Sequence, residues 1–268
     1  MIKAVIFDLD GTLVDSVPDL QASINAMLTR LGYRTKTRTE VIKALNNGAV
    51  ELVRRCLPRD VQGVDFILQS ALDTYRDEYS NRFLDETRPY SGIEAMLLDL
   101  RSMGIRICVL SNKPDPFVKD IISTLFDRKL FSHIQGQDKL PVKPNPTSTL
   151  AIAKSLGVKP SRCIFVGDSD VDMQTGKNAG MRTVGASWGY RGEEVLREAG
   201  ADFVIKEPSE LIDIIKSLYN EKKKRKENAK LRKQQKLLAK QQKSEPISET
   251  DNEQESQDAP KEAEESIT

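Results

Sequence analysis

The sequence has little histidine and cysteine and almost no net charge, and each of these features excludes a class of function. Its one histidine, His133, cannot supply a multi-histidine metal site. Its three cysteines, Cys56, Cys108 and Cys163, lie far apart and form no CxxC pair, as expected of reduced thiols in a cytosolic protein. Lys and Arg total 41 against 40 Asp and Glu, so the overall charge favours neither nucleic acid nor membrane as a partner.

Long apolar runs are also absent. A membrane-spanning helix needs about 18 uncharged residues in succession, and no segment provides them. The first apolar run, residues 4–7, follows a single lysine and is ended by Asp8, so it is too short for the core of a signal peptide. We therefore expect no membrane partner and a cytoplasmic localisation.

What the sequence does contain is an alternation of short apolar runs with helical patterns. Because strands buried on both faces of a parallel sheet are apolar throughout, this pattern predicts an α/β fold with a Rossmann-like, doubly wound parallel sheet. The predicted strands cover residues 2–7, 105–111, 162–167, 182–186 and 202–205, and the helices between them lie near 93–103, 116–125, 146–156 and 170–179.

The alternation is interrupted between residues 16 and 85, where the apolar spacing is helical throughout. Three or more helices are expected, near residues 20–31, 41–57 and 61–83. Because the first strand precedes this block and the second follows it, we place it as an all-α cap domain inserted into the α/β core. The predicted domains are thus a core of residues 1–15 and 86–218 and a cap of residues 16–85.

The composition changes again at the C-terminal end. Residues 219–243 are basic and are predicted to form a helical extension, whereas residues 244–268 are acidic, carry few hydrophobes and are predicted to be disordered. The positive charge between Lys222 and Lys243 could bind a nucleic acid. Aromatic residues for base stacking are absent beyond Tyr219, and the acidic segment could neutralise the basic one, so this remains an alternative to a solvated tail.

Two carboxylates follow directly on the first predicted strand. Asp8 and Asp10 lie at the carboxyl edge of the sheet, where open α/β folds bind their ligands. Asp8 is a candidate nucleophile and Asp10 a candidate proton donor, with Gly11 allowing the turn that brings them together and Thr12 adding a hydroxyl for phosphate binding. The alternative is a polar turn in which the acids cap the next helix.

A second acidic cluster, Asp168, Asp170 and Asp172, follows another buried strand. Mg²⁺ binds a few carboxylate oxygens together with water and substrate phosphate, so one carboxylate from each cluster would suffice to hold it. The spacing does not fit an EF-hand loop, because neither the required glycine nor the final glutamate is present. Asp170 is predicted to be a helix N-cap rather than a ligand.

Two further loops provide groups that a phosphate needs. Ser111 and Asn112 offer a hydroxyl and amide groups after the second strand of the core, and Lys143 offers a cation in the phrase Pro-Val-Lys-Pro. Each has a structural alternative, a turn in the first case and a solvated loop lysine in the second.

The order DLDGT, SN, K-P and GDSxxD resembles the four motifs of the haloacid dehalogenase-like hydrolase superfamily, over residues 1–218. The helical insert resembles the cap of that superfamily. The phrases NNGA, PYSG and SNKP are most similar to the phosphoglycolate phosphatase group. The tail lies outside the resemblance.

The resemblance implies a role for each motif residue. Asp8 is the nucleophile and Asp10 the general acid and base, while Ser111 and Lys143 hold the phosphoryl group. Mg²⁺ is bound by Asp8, the backbone carbonyl of Asp10 and Asp168, and Asp172 orients that shell. These assignments agree with the chemistry, because a carboxylate can approach a phosphate dianion only when cations reduce their repulsion.

We therefore expect a magnesium-dependent phosphatase acting on a small phosphorylated metabolite through a phosphoaspartyl intermediate, with 2-phosphoglycolate as the first candidate. A pyrophosphatase, a sugar phosphatase and a phosphoglucomutase-like mutase are the alternatives within the superfamily. Asp10 argues against a dehalogenase, and no feature marks Lys36 or Lys43 of the cap as the lysine of a phosphonate hydrolase.

Outside the enzymes, the alternative is a nucleic-acid-binding or scaffold protein acting through its basic tail. Specificity is expected from the cap, with Asn47 and Gly48 as candidates. Arg54 and Arg55 are further candidates for a substrate carboxylate, although both could equally be solvated. The sequence is compatible with a monomer or a dimer.

Overall fold

The computed structural model describes residues 1–45 and 47–242. Met1–Lys222 form one compact unit, and the residues from Lys223 onward form a second. The strands are β1 (Ala4–Phe7), β2 (Val14–Asp15), β3 (Arg88–Pro89), β4 (Arg106–Pro114), β5 (Phe131–Gln137), β6 (Cys163–Gly167), β7 (Arg182–Ala186) and β8 (Phe203–Ile205). The helices are α1 (Val17–Arg30), α2 (Arg38–Ala44), α3 (Gly48–Cys56), α4 (Asp65–Ser80), α5 (Ile93–Ser102), α6 (Asp115–Leu125), α7 (Thr147–Ser155), α8 (Asp170–Asn178), α9 (Gly192–Glu198) and α10 (Glu210–Gln242).

Six strands form one parallel sheet in the order β5-β4-β1-β6-β7-β8. The strand β1 lies in its interior, paired with β4 on one side and β6 on the other, and all four of its residues are buried. Burial on both faces explains why its sequence, Ala-Val-Ile-Phe, is apolar without alternation. The doubly wound α/β class predicted from the sequence is confirmed.

The segment between β2 and β3 is helical and has its own apolar core. Helices α1 to α4 contribute its buried side chains, among them Ile24, Val41, Val53 and Leu72. Residues 41–57 hold two helices, because the chain becomes extended at Leu45 and α3 begins again at Gly48. The helix α2 begins with a capping box, in which the Thr37 side chain accepts from the Glu40 backbone N–H and the Glu40 carboxylate accepts from the Thr37 backbone N–H.

The two ends of this helical segment are joined at its base. The strands β2 and β3 pair antiparallel, with Val14 opposite Pro89 and Asp15 opposite Arg88. Asp19, which is buried in α1, accepts hydrogen bonds from the backbone N–H groups of Glu86 and Thr87, each at 2.9 Å, and from the Thr87 hydroxyl at 2.6 Å. The place where the chain leaves the core and the place where it returns are therefore tied together.

The last described helix, α10, has two different parts. Near its start, Leu211, Ile212 and Ile215 are buried in the core of the first unit. In the second unit its described side chains are exposed and many are basic, including Lys223, Lys224, Arg225, Lys230 and Arg232. The predicted disordered segment, residues 244–268, lies outside the described residues. Within those residues, no helix combines the length and the apolar character needed to cross a membrane.

Candidate active site

Asp8 follows directly on β1, at the carboxyl edge of the sheet. Its Oδ1 atom accepts a hydrogen bond from the backbone N–H of Leu9 at 2.7 Å. The next turn is closed by a hydrogen bond of 2.8 Å from the Gly11 N–H to the Val14 carbonyl, with Gly11 at a φ of 82°. Glycine is favoured there because of the left-handed backbone, and because a side chain would collide with the carboxylate of Asp168.

Asp168 follows β6, the neighbour of β1 in the sheet, and is buried. Its Oδ2 atom accepts a hydrogen bond of 2.7 Å from the backbone N–H of Tyr190. Its Oδ1 atom lies 3.5 Å from the Thr12 hydroxyl, which is itself fully buried and does not line the cavity described below. The sheet order thus brings the two predicted acidic clusters side by side, and Thr12 contacts Asp168.

Lys143 lies between the two clusters. Its ammonium group is 2.8 Å from Asp8 Oδ1 and 2.6 Å from Asp172 Oδ1. Burial lowers the pKa of Lys143, but the carboxylates of Asp172 and Asp8 outweigh that effect and raise it above its usual value. Asn112 fixes the backbone of this residue, because its side chain accepts from the Lys143 N–H at 2.8 Å and donates to the Lys143 carbonyl at 3.1 Å. The lysine is therefore a fixed cation.

The carboxylates of Asp8, Asp168 and Asp172 form a buried acidic cluster whose ligand atoms lie within 4.8 Å of one another. Burial, followed by the charge of Asp172, raises the pKa of Asp8 to about 7 despite the opposing effect of Lys143. Burial and the charges of Asp172 and Asp8 raise the pKa of Asp168 well above its usual range. The cluster holds three acids and Lys143 pairs with two of them, Asp8 and Asp172, so the cluster fits a divalent cation that has oxygen ligands.

Asp172 also stabilises the start of α8. Ser169 is the N-cap of this helix, and it forms a capping box with Asp172, whose carboxylate accepts from both the N–H and the hydroxyl of Ser169. Asp170 is the first residue of α8 and not its N-cap, so that prediction was wrong by one position. The reason is that a serine hydroxyl precedes it and bonds the Asp172 backbone N–H.

Asp10 is paired with Lys113, a lysine whose role was not predicted from the sequence. Its Oδ1 atom accepts hydrogen bonds from the Ser16 hydroxyl and, at 2.7 Å, from the ammonium group of Lys113. Lys113 is almost fully buried, and its ammonium group lies 5.0 Å from the centre of the Tyr79 ring in α4. Asp10 is therefore connected through Lys113 to the helical segment.

A cavity of about 350 Å³ lies between the helical segment and the carboxyl edge of the sheet. Asp8, Asp10, Ser111, Asn112 and Lys143 line its floor. The helical segment contributes mostly apolar side chains, Leu20, Leu45, Val50, Leu52, Tyr75 and Tyr79, together with Arg76. The cavity suits a small ligand that meets charged and polar groups at the floor.

The residues predicted for specificity are divided by the structure. Gly48 lines the cavity, whereas Asn47 is the N-cap residue of α3, makes no side-chain capping bond and does not line the cavity. Arg54 and Arg55 also lie outside the lining, and both pair with Glu51. The arginine that lines the cavity from the helical segment is Arg76, which was not predicted and whose guanidinium group pairs with Asp73 at 3.3 Å.

The other residues missed from the sequence are Lys113 and Tyr190. Lys113 is two residues beyond Ser111 in β4, and alternate residues of a strand share a face, so its position beside a predicted site residue was a usable signal. Tyr190 follows β7, and its hydroxyl accepts from the Ser16 N–H at 3.0 Å and donates to Asp15 at 3.1 Å. The pattern gave no signal for it beyond its place after a strand.

Acidic clusters and a buried lysine at the carboxyl edge of a parallel sheet, under a helical segment, define an enzyme of the Rossmann-like α/β class. The model of the haloacid dehalogenase-like hydrolase family matches residues 5–186, so the chain belongs to that family. It is an enzyme, a phosphoric monoester hydrolase.

Similar proteins agree with this assignment. The chain is 37% identical over 214 residues to a phosphoglycolate phosphatase of Pseudomonas syringae pv. tomato, covering 78% of each chain. It is 33% identical over 223 residues to a phosphoglycolate phosphatase of Psychrobacter arcticus, covering 81% of this chain and 97% of that protein. The crystal structure of a protein described as a predicted phosphoglycolate phosphatase from Haemophilus somnus superposes with a TM-score of 0.74 at 27% identity, covering 80% of this chain and 98% of that one.

Proposed function

We propose that this enzyme hydrolyses 2-phosphoglycolate to glycolate and phosphate through a phosphoaspartyl intermediate on Asp8. The observation that carries the proposal is the arrangement of Asp8, with Lys143 at 2.8 Å, on the floor of a small cavity that Asp10 also lines. The names of the relatives support the substrate.

In the first half-reaction, a carboxylate oxygen of Asp8 attacks phosphorus and the bond between phosphorus and the ester oxygen breaks. The leaving alkoxide takes a proton from Asp10 and departs as glycolate. In the second half-reaction, Asp10 takes a proton from water, the water oxygen attacks phosphorus, and the bond from phosphorus to Asp8 breaks. Phosphate is released and both aspartates return to their starting states.

Lys143 supports both half-reactions. Its ammonium group is held in place by Asp172 at 2.6 Å, so it needs no rearrangement when negative charge moves onto the phosphoryl oxygens. Ser111 and Asn112 line the floor beside it and complete the proposed phosphate site.

We further propose that Mg²⁺ is the cofactor. Asp8, Asp168 and the backbone carbonyl of Asp10 would hold it, with Asp172 fixing the surrounding groups. A bound Mg²⁺ would supply the charge neutralisation that three neighbouring carboxylates require and would reduce the repulsion between Asp8 and the phosphate. Binding can be tested without turnover, because Mg²⁺ should raise the thermal unfolding temperature of the wild type and raise it less in Asp168→Asn.

The cap side of the cavity supports a small anionic substrate. Its lining is mostly apolar. Arg76 also lines it, and its guanidinium group, which pairs with the exposed Asp73 at 3.3 Å, would exchange that partner for the substrate carboxylate. In 2-phosphoglycolate, only two carbons separate the ester oxygen from the carboxylate oxygens. A molecule of this size fits a cavity of about 350 Å³, whereas a polymeric substrate does not.

The test is phosphate release from a panel of 2-phosphoglycolate, pyrophosphate and hexose phosphates, with and without Mg²⁺. Asp8→Asn is expected to lose at least about three orders of magnitude in kcat, and the matched control is Asp120→Asn, an exposed aspartate of α6. Unchanged turnover in Asp8→Asn would contradict the mechanism. Preference for pyrophosphate or a hexose phosphate would contradict the substrate, and interconversion of hexose phosphates without phosphate release would indicate a mutase.

A further inference from the structure

Lys113 has a position that the phosphatase mechanism described above does not use. It lies near the end of β4, two residues from Ser111, and its backbone N–H donates to the Ser111 hydroxyl at 3.1 Å. Its side chain is only 5% exposed, and the described acceptor of its ammonium group is Asp10 Oδ1 at 2.7 Å. A buried ammonium group is costly unless it is paired, so this contact fixes the position of both groups.

Because of this contact, the two carboxylate oxygens of Asp10 have different environments. Oδ1 accepts from both Lys113 and the Ser16 hydroxyl, whereas among the described residues Oδ2 has no hydrogen-bond partner. Because Asp10 lines the cavity, the oxygen without a partner is the one available to exchange a proton with a ligand.

The helical segment covers this pair. The Lys113 ammonium group lies 5.0 Å from the centroid of the Tyr79 ring, a distance at which an aromatic face attracts a cation. Tyr79 is buried, stacks on Tyr75 at 5.7 Å and meets Phe117 edge-on at 5.0 Å, so its ring is held from two sides. Lys113 therefore connects a fixed ring of α4 to the carboxylate of Asp10.

We propose that Lys113 is a positioning residue for Asp10: it anchors Oδ1, so that Oδ2 points to the ester oxygen of the substrate. The proposal rests on the assignment of Asp10 as the acid and base in the proposed function. Lys113 touches neither the phosphoryl group nor the nucleophile in this scheme. Its effect on the rate passes through Asp10, and in the first half-reaction this effect depends on how much the leaving group needs a proton.

The experiment compares Lys113→Met on two esters, 2-phosphoglycolate, whose alkoxide needs a proton to leave, and p-nitrophenyl phosphate, whose phenolate leaves without one. For Lys113→Met we expect kcat/KM, which reports the first half-reaction alone, to fall roughly 10- to 100-fold on 2-phosphoglycolate and to stay close to the wild-type value on p-nitrophenyl phosphate. The matched control is Lys154→Met, an exposed lysine of α7, for which both rates stay unchanged.

A double-variant cycle adds a second criterion. If Lys113 acts through Asp10, then Asp10→Asn with Lys113→Met is no slower than Asp10→Asn alone, because residues that act as a unit are not additive. Lys113→Arg, which keeps a cation, recovers part of the lost kcat/KM on 2-phosphoglycolate and provides a folded variant should the methionine variant unfold.

Three results would overturn the proposal. An equal loss of kcat/KM on both esters points to damage of the nucleophile or the phosphate site. The second result is a higher KM for 2-phosphoglycolate with unchanged kcat. If alkyl phosphates that lack a carboxylate show no such rise in KM, Lys113 binds the substrate carboxylate. Unchanged kinetics mean that it does neither. If the wild type prefers another alkyl ester, the proposed substrate is wrong, but the proposal for Lys113 is not. The comparison with p-nitrophenyl phosphate is then made on that ester.

Discussion

Lys143 controls the charge balance of the acidic cluster. It is the cation that Asp8 and Asp172 share, at 2.8 and 2.6 Å, and all three groups are buried. Removing one partner of a buried ion pair is costly, because the remaining charges lose their compensation.

We therefore predict that Lys143→Met lowers the free energy of unfolding by about 3–5 kcal/mol in the absence of metal and phosphate. Urea unfolding monitored by circular dichroism gives this value, with Lys154→Met as the exposed control. If Lys143→Met lowers the free energy of unfolding no more than the control does, the role given to Lys143 is contradicted. The carboxylates would then take up protons in the variant without destabilising the fold.

The three thiols are predicted to be unreactive in the folded protein. All three are buried, and burial raises the pKa of Cys56 to about 11, of Cys108 to about 12 and of Cys163 to about 11. A raised pKa keeps the thiol protonated at neutral pH, and the thiolate is the reactive form. A disulfide reagent at pH 8 is expected to label no cysteine in the native state and three after unfolding in urea. Rapid labelling of one thiol in the native state would contradict this burial.

At the scale of the elements, Asp19 holds the base of the helical segment together. It accepts hydrogen bonds from Glu86 and Thr87 across more than sixty positions of the chain. Asp19→Ala leaves two backbone N–H groups without an acceptor, so we predict a loss of about 2–4 kcal/mol in the free energy of unfolding.

Two comparisons test the Asp19 prediction. Asp19→Asn keeps one acceptor oxygen and is expected to lose less. Asp120→Ala, at an exposed position of α6, is expected to change stability by no more than about 0.5 kcal/mol. Equal stability of Asp19→Ala and Asp120→Ala would show that water replaces the lost acceptor.

The sheet could be predicted because its strands are short and buried on both faces, so each appears in the sequence as an apolar run ended by a polar residue. Asp8 and Asp168 were predicted to lie at the same edge for that reason, and they follow the neighbouring strands β1 and β6. The break between α2 and α3 could not be predicted, since Leu45 is as apolar as its neighbours and only its extended backbone ends the helix.

Contacts between distant side chains were the other limit. Lys113 and Asp10 are 103 positions apart, and their pairing depends on the relative placement of β4 and β1 and on the rotamers of both side chains. Periodicity contains no information about either. The predicted roles of the motif residues, including Thr12 and Asn47, remain proposals to be tested by substitution.

At the scale of the whole molecule, the basic part of α10 is not needed by the proposed chemistry. The compact unit that contains the cavity ends at Lys222. We predict that a chain truncated after Lys222 keeps the kcat and KM of the full chain on 2-phosphoglycolate. A substantial change in either would show that the C-terminal residues take part in catalysis or binding.

The same truncation tests the nucleic-acid alternative. If the basic residues between Lys222 and Lys243 bind nucleic acid, the full chain is retained on an RNA or DNA column at low salt, elutes as salt rises, and loses this retention when truncated. Equal elution of the two chains would contradict it and leave a solvated tail.

The pairing of β2 with β3 has a consequence for how such an enzyme can diversify. The helical segment leaves and re-enters the core at two positions that lie opposite each other, Val14 with Pro89 and Asp15 with Arg88, so their Cα atoms are only about 5 Å apart. A segment whose ends meet can be exchanged for another of different length without disturbing the sheet. The core would then keep the catalytic residues while the helical segment is changed to alter the substrate. Grafting a foreign cap at this point is a practical route to new substrates.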